Sequence, residues 1–551
     1  MRGLMQDWPM TLNRFIEHAE RLHPHREIVT RTIEGPIDRT SYGAVARRAR
    51  QVSRALADDG VVLGDRVATL AWNTARHMET WFGVMGFGAV LHTLNPRLHP
   101  EQIAWLINHA GDRIIFADLT FVPLLEAIAA NIPDVEKFVI YCAAGDLPET
   151  ALKNAVAYED YIAGRATDVV WGDFDENTAA GLCYTSGTTG QPKGVLYSHR
   201  SNMLHALAAN QGDVFALRGR DAVLAVVPMF HANAWGLTFI GPMAGAKLVF
   251  PGARLDPASV YDLLESEGVT LTAGVPTVWG ALLAHMQQNN LRFSTLKRLL
   301  VGGAAAPGAM IDAFEKQFGL EVIHAWGMTE MSPMGTFNRL CPKAEALDDA
   351  GRLRMKQKQG RAPFLVDMRI ADDQGRDLPH DGKTFGRLLV RGPAVAQRYF
   401  RGEGARNQRG DVIEPCGYFD TGDIATIDEW GYMQITDRAK DVIKSGGEWI
   451  STIAIETIAI GAPDVANAAV IGVPHPKWDE RPLLVIEPRP GAAPDRESVL
   501  HFLNGKIAKW WMPDDVVLVD KLPLGATGKV NKMALRDIFR DYRLPDVQTA
   551  R

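Results

Sequence analysis

Tyr184-Thr-Ser-Gly-Thr-Thr-Gly-Gln-Pro-Lys-Gly194 follows an apolar segment and packs glycine, hydroxyl side chains and one lysine into a single turn. Gly187 and Gly190 let the backbone approach an anion closely. Thr185, Ser186, Thr188 and Thr189 offer hydroxyl donors, and Lys193 offers a point charge. Successive backbone N–H groups in such a turn form an anion-binding nest. The stretch is not a Walker A loop, G-x-x-x-x-G-K-[ST]: Pro192 stands where that motif needs glycine, and Gly194 where it needs Ser or Thr. A phosphate site of another kind is expected.

Outward from this turn, short β-branched runs alternate with helical patterns over the first four hundred residues. RVATLAW, RIIFADL, KFVIYC, AVLAVVP and AKLVF are the runs, and SYGAVARRARQVSRALADDG is one of the spacers. Alternation of this kind predicts α/β layers with mainly parallel sheet. Ser41 and Gly60 give one helix its start and stop. A second regime begins near Asp437, where DRAKDVIKSGGEWIS leads into a tail with its own apolar runs (NAAVIGVP, RPLLVIEP, VVLVDKLP) and two helical patterns. The fold expected is a large α/β N-terminal domain over 1–436, a hinge at 437–440 and a small mobile C-terminal α+β domain over 441–551.

The bulk numbers exclude several classes. At 551 residues one core is not enough. A net charge of −6 and pI of about 6.2 give no nucleic-acid footprint. Cys142, Cys183, Cys341 and Cys416 form no CxxC pair, which argues against a disulfide framework or zinc knuckle and for a cytoplasmic setting. The start MRGLMQDWPMTLNRF predicts no signal peptide. The longest uncharged run, 222–246, holds Pro228, Pro242 and several glycines and reads as buried strand and loop, not as a transmembrane segment.

Further motifs then appear in order: Gly302-Gly-Ala-Ala-Ala-Pro307, Ala325-Trp-Gly-Met-Thr-Glu330, Tyr418-Phe-Asp-Thr-Gly-Asp423, Asp437-Arg438 through Ser451, and Pro523 to Lys529. Together with the first loop they resemble the adenylate-forming superfamily of acyl-CoA synthetases, adenylation domains and luciferases, across essentially the whole chain. The resemblance implies an acid–thiol ligase that uses ATP, Mg²⁺ and coenzyme A, forms an acyl adenylate with release of pyrophosphate, then makes the thioester. It implies nucleotide contacts at Thr185, Ser186, Gly187, Thr188, Thr189, Gly190 and Lys193, and at Gly302, Gly303, Ala304, Trp326, Gly327, Met328, Thr329, Asp423 and Arg438. Thr185 and Glu330 would hold the metal, Asp423 the ribose hydroxyls, and Trp326 one wall for adenine. Lys529 would enter from the small domain to neutralise charge between carboxylate and α-phosphate. Lys440 would be the pivot, with Gly446 and Gly447 lining the pantetheine tunnel.

For the acid, Val227-Pro-Met-Phe-His-Ala-Asn-Ala-Trp235 holds no carboxylate where amino-acid-activating relatives place one. An unpaired buried ammonium would be costly, so amino acids are disfavoured. His231, Trp235, Gly302 and Ala304 are the expected substrate contacts, with Trp235 gating an acyl tunnel or packing in the core. The sequence there looks most like medium- and long-chain fatty-acid:CoA ligases, and medium-chain acids are favoured. A short substituted acid such as 3-methylmercaptopropionate, an aryl acid, and a carrier-protein acceptor stay open, as does a non-catalytic nucleotide- or acyl-binding protein. Similar ligases are often homodimers. Arg387 and Ala454 depart from the family by replacing usual acids.

Overall fold

The computed structural model describes residues 1, 3–185, 192–404, 406, 410–445, 448–525 and 529–545, and four sheets organise them. The first sheet has seven strands in the order Ala155–Ala157, Lys137–Tyr141, Ile114–Asp118, Arg66–Leu70, Val90–Thr93, Ala179–Tyr184 and Gly194–Ser198. All neighbours run parallel except the last pair. The second has eight strands in the order Met334–Asn338, Glu321–Gly327, Arg298–Val301, Leu271–Gly274, Ala222–Ala225, Lys247–Phe250, Glu27–Arg31 and Ile37–Ser41. It is antiparallel only at its two edges.

Parallel strands covered on both faces read as continuous apolar runs, which is why the β-branched stretches were legible. Each of the five quoted runs forms a strand. The helix after Ser41 spans Tyr42–Asp58, with the Ser41 side chain accepting from the Ala44 N–H and Gly60 at φ 75° beyond its end. One apolar core joins Val67, Leu91 and Phe116 of the first sheet to Val223, Leu248 and Leu271 of the second through the intervening helices. Separate clusters cover the outer faces, around Leu264 and Trp279 on one side and Ile107 and Leu125 on the other.

The third sheet departs from the parallel expectation. Asp367–Ala371, Gly386–Arg391, Phe419–Ile427 and Met433–Arg438 form a four-stranded antiparallel sheet. The fourth, in the tail, pairs Val465–His475 with Asp479–Pro488, adds Ile443–Ser445 and Glu448–Ile450 on one side, and takes Asp515–Leu518 in parallel. Three helices accompany it, Thr452–Ala459, Arg496–Leu503 and Lys532–Ile538, one more than the sequence pattern suggests. The last is only seven residues long and too short to display a periodic stripe. The uncharged run 222–246 likewise contains a helix, Leu237–Ala244, that tolerates Pro242 inside it. Among the described residues no helix is long and apolar enough to cross a membrane.

Candidate active site

The phosphate-loop stretch joins the last two strands of the first sheet, an antiparallel pair with Tyr184 opposite Gly194. A Walker A loop runs from strand into helix, so the topology agrees with the failed motif match. Its neck is closed by two hydrogen bonds: the Thr185 N–H donates to Lys193 O (2.9 Å) and the Lys193 N–H to Thr185 Oγ1 (3.2 Å). The candidate contacts at Ser186, Gly187, Thr188, Thr189 and Gly190 lie outside the described residues, as do Gly446 and Gly447.

The Ala325–Glu330 motif is tied to this hairpin by residues that no motif contains. Tyr197, on the strand leaving the loop, donates to Thr329 O (2.8 Å). Tyr399 donates to Glu330 Oε1 (2.7 Å), and the Ala396 N–H donates to the Glu330 carbonyl (2.7 Å). Glu330 is buried. Tyr399 also lies beneath Lys193, whose Nζ is 5.0 Å from the ring centroid. Both tyrosines act across long sequence separations, so local spacing carried no signal for them.

Asp423 is 1% exposed. Trp326 Nε1 donates to its Oδ2 at 3.1 Å. Arg438, opposite it across the strand pair, brings Nε to 2.8 Å from Oδ1, but Oδ1 receives no hydrogen bond among the described residues. A buried carboxylate oxygen without a donor is expensive, and a ribose hydroxyl is the kind of donor that would satisfy it. Burial raises the Asp423 pKa, with Arg438 and the Trp326 hydrogen bond opposing. Trp326 packs among Met331, Leu388 and Phe419, so its indole is both core and a hydrogen-bond donor to Asp423.

Lys529 reaches this cleft from the tail. The Gly525 N–H donates to Lys529 O (2.7 Å) and Leu524 bridges Val530, which closes the base of its loop. Lys529 is exposed, yet desolvation by the protein beside it lowers its ammonium pKa to about 8, together with the Arg438 cation and against the pull of Asp423. Lys529 also bears on His231, whose imidazole is pushed down to about 4 by burial first, then by Lys529 and Arg97. The structure therefore brings Asp423, Arg438, Lys529 and His231 into one electrostatic neighbourhood.

The His231 segment is positioned from the end of the first sheet's central strand, Arg66–Leu70. Asn73 Nδ2 donates to Ala225 O and Val227 O (2.8 Å each), and the Met229 N–H returns a bond to Asn73 Oδ1 (2.7 Å). Beyond His231 the chain makes a left-handed turn: Ala232, Asn233, Ala234 and Trp235 have φ of 44°, 58°, 49° and 53°. Such a conformation costs non-glycine residues roughly 1–2 kcal/mol each and persists only where packing over-determines it. Trp235, at the end of the turn, packs against the core. Its indole lies where a Cβ on Gly302 would stand, 2.9 Å away, so only glycine fits there. Gly303 follows at φ 82°, and Ala304 is exposed.

The two departures are accommodated locally. Arg387 bridges Glu414 and Asp420 (2.8 Å each). Ala454 sits in the first turn of Thr452–Ala459, where its N–H donates to Ser451 Oγ, and Glu456 two residues on pairs with Lys532 (2.7 Å).

The family model described as AMP-binding enzyme matches residues 16–400, and that described as AMP-binding enzyme C-terminal domain matches 454–529. The 3-methylmercaptopropionyl-CoA ligase of Ruegeria lacuscaerulensis is 48% identical, over 98% of this chain and 99% of its own. The medium-chain-fatty-acid–CoA ligase of Ectopseudomonas oleovorans is 44% identical, over 99% and 98%. Among solved structures, ATP-bound MatB from Rhodopseudomonas palustris superposes with a TM-score of 0.80 at 27% identity, over 96% of this chain and 99% of that one. With both models matched in order and relatives of this identity aligned end to end, the chain belongs to the AMP-binding enzyme family and stands within it beside the acyl-CoA ligases.

Proposed function

We propose that this chain is an ATP-dependent carboxylate:CoA ligase that forms an acyl adenylate with release of pyrophosphate, then an acyl-CoA and AMP. The observation that carries the reading is the buried Asp423 oxygen that receives no hydrogen bond, ion-paired with Arg438 and electrostatically coupled to Lys529. Joining a carboxylate to the α-phosphate brings two anions together, so positioned cations and N–H donors matter more than a base. In this proposal Asp423 receives the ribose hydroxyls, the Tyr184–Gly194 loop with Lys193 holds the phosphates, and Lys529 offsets the charge at the reacting oxygens. Thr185 Oγ1 and the Glu330 carboxylate are oxygen donors of the type Mg²⁺ prefers, and that ion would neutralise phosphate charge there. Gly302, Gly303, Ala304, Trp326, Gly327, Met328 and Thr329 complete the nucleotide wall. The proposal also takes 1–436 and 441–551 as domains about a 437–440 hinge, Gly446 and Gly447 as the pantetheine turn, and the enzyme as a cytoplasmic homodimer.

For the acid, medium-chain fatty acids are proposed, with His231, Trp235, Gly302 and Ala304 around the acyl group. The 48% identical 3-methylmercaptopropionyl-CoA ligase favours a short thioether acid as the second reading. A panel from propionate to palmitate, with 3-methylmercaptopropionate and aryl acids, scored by kcat/KM for CoA-dependent AMP formation, separates them. Each added CH₂ is worth ~0.8 kcal/mol, so the rate should climb roughly fourfold per carbon until the pocket ends. A maximum at aryl acids discards the fatty-acyl reading. Absence of acid-dependent pyrophosphate exchange into ATP discards the ligase reading itself.

The pH dependence follows from Lys529. A lysine with a depressed pKa is cationic below about 8 and neutral above it. Since kcat/KM reports the free enzyme, its value for adenylation should fall as pH rises through about 8. Thioester formation from supplied acyl adenylate should show no such alkaline limb. Lys529→Arg, which stays charged, should move the limb beyond the measurable range if it retains activity.

A further inference from the structure

The two ends of the phosphate loop are held by side chains that lie outside every motif discussed above. Tyr184, at the end of its strand, places Oη 2.6 Å from His109 Nδ1. His109 sits near the end of helix Pro100–Ala110, stacked on Trp105 with ring centroids 4.5 Å apart. Its Nε2 lies 3.4 Å from Glu403 Oε1. A carboxylate only accepts, so the neutral ring carries its proton on Nε2 and leaves Nδ1 to accept the Tyr184 O–H. The order is therefore phenol, imidazole, carboxylate: the phenol donates to Nδ1, while Nε2 faces Glu403 at ion-pair distance without a hydrogen bond. The phenol is a structural donor here, since burial pushes its pKa up.

The same short segment that bears Glu403 grips the other end of the loop. Tyr399 lies under Lys193, and Phe400 Cβ stands 2.9 Å from where a side chain on Gly194 would begin. Phe400 also packs its ring against His109, centroids 5.8 Å apart. Both ends of the hairpin neck, Tyr184 on one strand and Lys193–Gly194 on the other, thus rest on residues 399–403 and His109.

We propose that His109 is a positioning residue for ATP: stacked on Trp105, it fixes Tyr184 and so sets the strand end from which the phosphate loop departs. The proposal rests on the reading that this loop receives the nucleotide phosphates. Removing the imidazole leaves a half-buried phenol without its acceptor, a cost relieved by shifting the strand end. The consequence falls on ATP alone, because supplied acyl adenylate brings no β- or γ-phosphate to be held.

The test compares full-length wild type with His109→Ala, Tyr184→Phe, His109→Asn and Glu403→Gln in both half-reactions. Acid-dependent pyrophosphate exchange should show the ATP KM raised about tenfold in His109→Ala and about threefold or more in Tyr184→Phe. The KM for the acid, and thioester formation from supplied acyl adenylate, should stay within about twofold of wild type. His109→Asn, whose amide oxygen restores an acceptor near Nδ1, should recover part of the ATP affinity, and Glu403→Gln should lie close to wild type. Unchanged ATP KM in both His109→Ala and Tyr184→Phe overturns the proposal, as does an equal loss in both half-reactions, which marks His109 as a packing residue. Wild-type protein that exchanges no pyrophosphate overturns the ligase reading and this proposal together, so the two failures are distinguishable.

Discussion

Lys529→Ala is expected to slow acyl-adenylate formation at least ~10²-fold, the scale of one lost oxyanion contact, while thioester formation from supplied acyl adenylate changes less than about threefold. The magnitude follows from charge. Two unit charges 4 Å apart interact by about 4 kcal/mol at an effective dielectric of 20, and a ~10²-fold rate change needs about 2.7 kcal/mol. One ammonium at the reacting oxygens is therefore sufficient. The loss should be confined to the first half-reaction because only there do two anions meet. Folding should survive, since the loop base is closed by backbone contacts, the Gly525–Lys529 hydrogen bond and the Leu524–Val530 bridge, which the substitution leaves intact. Pyrophosphate exchange reads the first step and thioester appearance from acyl adenylate reads the second. Equal loss in both steps would refute the assignment.

How far the sequence exposed this site depends on where each constraint is written. The phosphate loop was legible because anion binding imposes glycine and hydroxyl residues locally, and the parallel strands because burial on both faces makes them continuously apolar. Asp423 and Lys529 were legible only through family motifs; their physical character, a buried oxygen that receives no hydrogen bond and an ammonium of lowered pKa, is a tertiary property. Tyr197 and Tyr399 were not legible, because their partners Thr329 and Glu330 lie 132 and 69 residues away. The antiparallel sheet over 367–438 was hidden by half-buried strands such as Asp367–Ala371, whose alternation is weak, and by long connections between them. The left-handed turn at Ala232–Trp235 has no glycine to announce it before Gly236. Its Trp235 packs on Gly302, and no window of local sequence contains both residues.

Lys440→Pro is expected to cut thioester formation at least ~10-fold while adenylation stays within about threefold of wild type. The chain leaves the four-stranded sheet at Arg438 and enters the tail sheet at Ile443, so only residues 439–442 link the two. Several contacts span this link in the orientation observed. Asp437 Oδ2 accepts from the Thr452 N–H at the start of a tail helix (2.6 Å), and Ser451 donates to the Thr436 carbonyl. Arg536, seven residues beyond Lys529, donates to Lys440 O (3.2 Å) and Asp441 Oδ1 (2.7 Å). Lys529 is electrostatically coupled to Asp423 in this same orientation, the arrangement proposed for adenylation. In the proposed reading the second step turns the small domain, and φ and ψ in the four-residue link would absorb that turn. Proline fixes φ at 440 and drives Ala439 away from the α region, so a link able to hold one orientation loses access to the other. Lys440→Ala keeps the backbone free and should run both steps near wild-type rates, which separates a hinge from a charge effect. If Lys440→Pro lowers both half-reactions alike, the pivot lies elsewhere in 439–442, and Lys440 is only a surface lysine of the tail.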